Sequence, residues 1–389
     1  MSAARQSKPG FDFGDPTPAP ETTLPAQARK GRGAVSNRPG RYEPGDRPAE
    51  DDGWPRAEEE EGLPPLRTVV GLDTSKSIIS RNDSPDIPFD QSINPYRGCE
   101  HGCIYCFARP THAYLGHSPG LDFETRLYHK PNAAKLLEKE LRRPSYRPSL
   151  IALGANTDPY QPIERRYRLT RSILQVLSDF NHPVGITTKS ANVLRDIDLL
   201  TNMARRRLVH VAMSVTSLNA DIARQLEPRA SAPHRRLAAI KQLAAAGIPV
   251  SVSVAPIIPA LTDYEIEAII EAAVKNGARG VNWTLLRLPL EIKDLFEEWL
   301  AAHVPDRADH VLNLVRDCHG GQIYSSQWGS RMKGSGPYAE MIRQRVEQAA
   351  KRHGIGARDW RLDLSRFAVP RAASAQPDLF SMMPEPENR

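Results

Sequence analysis

Asn94-Pro95-Tyr96-Arg97-Gly98-Cys99-Glu100-His101-Gly102-Cys103-Ile104-Tyr105-Cys106 is the stretch on which the reading of this chain turns. It holds three of the four cysteines, spaced C-x3-C-x2-C. Three thiolates on a glycine-bearing loop can converge on one soft metal centre, and Gly98 and Gly102 let the backbone turn tightly around it. The number of ligands is informative. A structural zinc site closes with four, so a zinc reading needs His101 or His112 as the fourth. A cubane held by three cysteines leaves one iron open to bind something else.

Outward from this loop the chain alternates short apolar runs with helical patterns. Strands are expected at 91–96, 149–153, 184–188, 209–215, 250–255 and 280–285, each rich in Val, Ile or Leu. Near 166–180, Leu169, Ile173, Val176, Leu177 and Phe180 share one helical face. Thr262-Asp263-Tyr264-Glu265 has the form of a capping box, and Gly247 that of a helix stop. Hairpin signals are nearly absent, so successive strands are expected to be parallel, with right-handed crossovers. This is an α/β chain of six βα units. The pattern alone fits an open sheet or an incomplete barrel, and in both the functional loops gather at the C-terminal strand ends.

Four regions follow. Residues 1–65 carry 11 of the 34 prolines and the run Glu58-Glu59-Glu60-Glu61, with apolar residues too scattered for a core, and are expected to be a disordered arm. Residues 66–302 form the βα core. Residues 303–370 are a helical extension, with segments near 304–318 and 337–353 flanking the Gly/Ser-rich loop 327–336. Residues 371–389 form a mobile tail.

The cysteine spacing, with aromatic Tyr105 just before the third cysteine and a strand before the loop, resembles the radical S-adenosylmethionine (SAM) superfamily. The resemblance implies an incomplete (β/α)6 barrel and a [4Fe–4S] cluster on Cys99, Cys103 and Cys106. The open iron then chelates the SAM amine and carboxylate, and an electron from the cluster cleaves the sulfonium to give a 5′-deoxyadenosyl radical. It also implies an electron donor such as a flavodoxin or ferredoxin. Thr157-Asp158-Pro159-Tyr160-Gln161-Pro162-Ile163-Glu164 and Thr187-Thr188-Lys189-Ser190 look like the spore photoproduct lyase branch, over roughly residues 90–290. By that likeness Asn156, Thr157 and Asp158 approach the methionine moiety, Lys189 faces its carboxylate, and Ser214 the ribose. Arg229 is a further carboxylate-binding candidate. The branch also uses a hydrogen-donating cysteine, for which Cys318 is the remaining candidate here. The superfamily's usual Gly-Gly-Glu is absent after the second strand.

No run of about 18 apolar residues exists, and the first 20 residues lack the apolar core of a secretory signal. A cytoplasmic location is expected. A formal charge of +6 and a pI near 9.1 permit contact with nucleic acid without requiring it. In the tail, Gln376-Pro377-Asp378-Leu379-Phe380 resembles the peptide by which bacterial replication and repair factors dock on the DNA sliding clamp. Leu379 and Phe380 would fill an apolar pocket while Gln376 orients the peptide. Three readings result: a radical SAM enzyme acting on DNA or another nucleic acid, radical modification of a peptide or small molecule, and a non-catalytic iron–sulfur or zinc adaptor on the clamp.

Overall fold

A computed structural model of the chain describes residues 28–42, 66–356 and 361–370. Its ten strands are β1 (Val69–Leu72), β2 (Ile79–Arg81), β3 (Gln91–Ile93), β4 (Tyr96–Arg97), β5 (Arg126–His129), β6 (Ile151–Leu153), β7 (Val184–Thr188), β8 (Val209–Ser214), β9 (Val250–Ile257) and β10 (Gly280–Leu285). Six of them form the expected parallel sheet, in the order β10-β9-β8-β7-β6-β3. β2 adds antiparallel to β3 at one edge, so β2 and β10 remain unjoined and the barrel is incomplete. A small second sheet, β1-β5-β4, stands beside the cysteine loop.

The sheet is buried by crossover helices, so its strands read as near-continuous apolar runs. Ile151, Leu153, Val184, Ile186, Val211, Val252 and Val254 meet Leu137, Ile173, Leu177, Leu200, Ile240, Ile269 and Ile270 from the helices in one core. A second core lies around the cysteine loop. Cys103, Ile104 and Tyr105 pack there with Leu295, Phe296, Trp299 and Val311, so the helices Ile292–His303 and Ala308–Cys318 support the loop.

Local departures from expectation have identifiable causes. The first strand stops at Ile93 because Pro95 has no N–H to donate, and Asn94 turns its side-chain oxygen to the amides of Asn156 (3.0 Å) and Thr157 (3.4 Å). The helix near 166–180 is broken at Arg168, whose φ of 51° is left-handed, into Glu164–Tyr167 and Leu169–Asp179. Thr262 and Glu265 do not form a capping box. The Thr262 hydroxyl accepts from Ile258 N (3.0 Å), and Glu265 instead accepts the Leu218 and Asn219 amides (3.1 Å each). Gly247 does end its helix, at φ 77°.

The expectation of disorder throughout 1–65 does not hold for residues 31–41. Ala34 and Val35 are buried in the second core, and the amides of Gly33 and Ala34 donate to the Glu124 carboxylate at 3.0 and 2.8 Å. Ser36 donates to Glu298 (2.6 Å), and Arg41 pairs with Glu291 (2.8 Å). Two apolar residues cannot announce such a segment in sequence, because remote acceptors hold it rather than a core of its own. The tail peptide, with Gln376, Asp378, Leu379 and Phe380, lies outside the described residues. Among the described residues no helix is long and apolar enough to cross a membrane.

Candidate active site at the strand ends

The cysteine loop is shaped by its glycines and braced from three sides. Gly98 and Gly102 both have positive φ (73° and 67°), and a Cβ on Gly102 would sit 2.7 Å from a Glu124 carboxylate oxygen. Behind the loop, fully buried Arg109 donates to the carbonyls of Cys103 (2.9 Å) and Gly102 (3.0 Å) and pairs with fully buried Glu124 (2.5 Å). In front, Gln161 bonds both ways to the loop backbone, accepting from Glu100 N (2.9 Å) and donating to Gly98 O (3.2 Å). Tyr96 donates to Glu164 on the same flank. The stretch 157–164 is thus a brace for the cysteine loop as much as a cavity wall.

Cys99, Cys103 and Cys106 are free thiols that line one cavity together with His101, Tyr105 and Phe107. The opposite wall comes from strand ends: Gly154 and Asn156 after β6, Thr187, Thr188 and Lys189 at β7, Ser214 at β8, Ser253, Ala255 and Pro256 on β9, and Thr284, Leu285 and Arg287 at β10. The C-terminal strand ends therefore carry the site.

Of the other residues singled out in the sequence, Asn156, Asp158, Lys189, Ser214 and Tyr105 line the cavity. Thr157, Arg229 and Cys318 are not among its lining residues. Thr157 is buried with its hydroxyl donated to Tyr96 O (3.1 Å). Arg229 faces Glu100 at 3.3 Å. Cys318 is buried in the main core, where its carbonyl accepts Ser335 N (2.8 Å), and burial pushes its thiol up to about 11. The short side chains at 157 and 318 are drawn to the nearest backbone and core, and a cation fifteen residues past the end of β8 found an acid before it reached the pocket.

Two buried ionic networks hold the polar wall. Asp158 accepts Thr188 Oγ1 (2.7 Å), Lys189 N (2.7 Å) and Tyr160 N (2.8 Å), and stands 3.4 Å from His101 Nδ1. Burial alone would raise its carboxyl, but His101 and these donors hold it below the ordinary range. Glu227 is fully buried among Arg236, Lys189 (3.0 Å), Thr216 (2.7 Å) and the Tyr105 hydroxyl. Burial would raise this carboxyl too, yet Arg236 and Lys189 hold it far below the usual range. Lys189 also donates to Ser214 Oγ (2.7 Å) and sits 5.4 Å from the Tyr105 ring centroid. Its ammonium is therefore oriented by Glu227. Nothing local in the sequence marks Glu227 as this hub, because its partners come from three other elements.

The donor set fits an iron–sulfur cubane better than a single ion. Burial pushes all three thiols up; at Cys99 the charges of Asp158, Cys103 and Cys106 add to the rise, and at Cys103 those of Glu227 and Cys106 do. Yet among the described residues no three His, Cys, Asp or Glu side chains close on a point where one ion would sit. Thiolates binding separate irons of a cubane need a common cavity, not a common point. His112, a fourth ligand in the zinc reading, is buried against Arg126 O (2.8 Å) and is not among the cavity-lining residues.

Comparison with known proteins agrees. The family model of the radical SAM superfamily matches residues 93–273. An uncharacterized protein of Mycobacterium tuberculosis is 38% identical over 262 residues, spanning 67% of this chain and 73% of that one. An uncharacterized protein of Methanocaldococcus jannaschii is 30% identical over 173 residues, 44% of this chain and 62% of that one. In fold the chain is similar to spore photoproduct lyase. One such structure, a mutant with bound AdoMet and dinucleoside spore photoproduct, superposes with a TM-score of 0.53 at 17% identity, over 75% of this chain and 80% of the other. With its cysteine loop, open parallel barrel and strand-end cavity, the chain belongs to the radical SAM superfamily of enzymes, which use a [4Fe–4S] cluster and SAM.

Proposed function

We propose that Cys99, Cys103 and Cys106 hold the cluster, that SAM lies between them and the ends of β6 to β9, and that the substrate is a nucleic acid carrying a lesion or a base to be modified. When bound, the cluster supplies the electron that cleaves the SAM sulfonium. The chain's own residues position and shield. Asn156, whose backbone is anchored by Asn94, leaves its side-chain amide facing the cavity for the SAM ammonium. Lys189 and Ser214, linked at 2.7 Å, present donors to the carboxylate and ribose side. Tyr105 fixes the loop to Glu227 from beneath. Arg229 and Thr157 support the walls.

The observation that carries this reading is the placement of three buried thiols and the polar ends of successive parallel strands around one cavity. The nucleic-acid part draws support from the lyase-like fold and from the clamp-like peptide Gln376–Phe380, which together suggest a soluble enzyme at work on DNA, with a flavodoxin- or ferredoxin-type donor. Anaerobic reconstitution tests the first part. About four irons per chain and reductant-dependent 5′-deoxyadenosine are expected, both lost on Cys→Ala at position 99, 103 or 106. Zinc without SAM cleavage would leave an adaptor. An unchanged SAM-cleavage rate with DNA and RNA would turn the substrate toward peptides or small molecules. Deleting 371–389 should abolish clamp binding, and unchanged affinity refutes the docking role.

A further inference from the structure

Among the described residues Arg287, just past the end of β10, is the one arginine lining this cavity, and no carboxylate lies within ion-pair distance of it. Arg32, Arg97, Arg109, Arg229 and Arg331 each have an acidic or backbone acceptor. The Arg287 guanidinium instead lies over the Phe107 ring, 4.9 Å from its centroid, and its one recorded hydrogen bond goes from Nη1 to the Met332 thioether at 2.6 Å. A thioether is a weak acceptor. A guanidinium carries five N–H donors in a rigid fork, so most of its donor capacity remains for a ligand. Half-buried, it also bears a desolvation cost: burial lowers its pKa although Tyr324, Asp86 and Cys106 act in the opposite direction.

Phe107 is the residue after the third cysteine, yet its side chain is 45% exposed while lining the same cavity. The segment supporting Arg287 is itself fixed. Met332 O accepts Leu285 N (3.0 Å), and Arg331 and Gly329 of the same loop bind Asp86 at 2.5 and 2.7 Å. Asp86, whose charge Arg287 senses, is paired with Arg331 rather than with Arg287. A stacked guanidinium with no carboxylate in ion-pair range, beside a half-exposed aromatic ring, is the chemistry that takes a phosphate and an adjacent planar ring together.

We propose that Arg287 and Phe107 form a substrate subsite at the cavity mouth that binds one phosphate and one unstacked base of a single-stranded nucleic-acid segment. This rests on the nucleic-acid reading above and adds its recognition residues. An acidic peptide would satisfy Arg287 but would gain little from the Phe107 face.

The test uses full-length, cluster-reconstituted protein with SAM and a fluorescein-labelled 12-mer of single-stranded DNA, followed by anisotropy across a salt series. Arg287→Gln should weaken binding about tenfold and lower the slope of log K against log salt by about 0.7, the share of one single-strand phosphate. Arg287→Lys should recover the slope but not the full affinity, because lysine is a point charge without the fork. Phe107→Leu should weaken binding about tenfold with the slope unchanged. Iron content and SAM affinity of each variant are measured alongside. Undiminished oligonucleotide affinity in an iron-replete Arg287→Gln protein overturns the proposal. So does a loss that appears in SAM affinity instead, or displacement of the oligonucleotide by a glutamate 12-mer as readily as by unlabelled DNA. Absence of iron or SAM cleavage in the parent protein would sink the enzymatic reading instead, so the two failures are distinguishable.

Discussion

Replacing Glu124 with alanine should loosen the cysteine loop and release the N-terminal arm together. Glu124 and Arg109 are both fully buried and paired at 2.5 Å, and the same carboxylate accepts the Gly33 and Ala34 amides at 3.0 and 2.8 Å. Removing one partner of a buried pair strands the other charge, at a cost of roughly 3–5 kcal/mol. The two amides belong to a segment that can peel away into water, so they add little to that figure. A loss of this size is a large share of the roughly 5–15 kcal/mol that holds a typical fold. At about 2–4 °C per kcal/mol the melting temperature should drop by roughly 6–20 °C. Glu124→Gln keeps an oxygen for the amides but not the charge, and should fall between parent and alanine. Anaerobic thermal unfolding gives the magnitude, and limited proteolysis reports whether cleavage appears within residues 31–41. If Glu124→Ala melts within about 2 °C of the parent and the arm stays protected, the bracket has been misread.

Two further perturbations follow from the same geometry. Gly154 has φ 87°, and a Cβ there would sit 2.1 Å from Thr187 O, so Gly154→Ala must push the ends of β6 and β7 apart. More than tenfold loss of SAM cleavage with a lowered melting temperature is expected, and parent-like activity would show that the cavity wall tolerates the shift. His182 is buried, and burial lowers its pKa to about 4 from the ordinary 6.5. The unfolded chain therefore takes up the proton first as pH falls. The stabilisation from a neutral His182 is complete above about pH 6.5, erodes between 6.5 and 4, and changes no further below. Between pH 7 and 5 this single group should cost about 2 kcal/mol, measured by denaturant unfolding at the two pH values. Replacing it with Gln should flatten that interval, and an equal drop in the variant would assign the loss elsewhere.

The sequence alone determined the parts whose cause is local or periodic. Cysteine spacing, Gly98 and Gly102, and the alternation of β-rich runs with amphipathic helices reflect chain geometry over a few residues, and each appears in the parallel six-strand sheet and its loop. The strand-end rule then placed the cavity. Tertiary structure decided the parts that depend on which distant group arrives first. Whether Arg229 meets SAM or Glu100, whether Glu265 caps its own helix or the Leu218 and Asn219 amides, and whether residues 31–41 dangle or clasp Glu124 are contests among partners up to 129 residues apart. Polar side chains are satisfied by the nearest acceptor in space, and no pattern along the chain encodes that distance. Arg287 is the extreme case, because that no described carboxylate comes within ion-pair distance of it is decided only once every neighbour has taken its place.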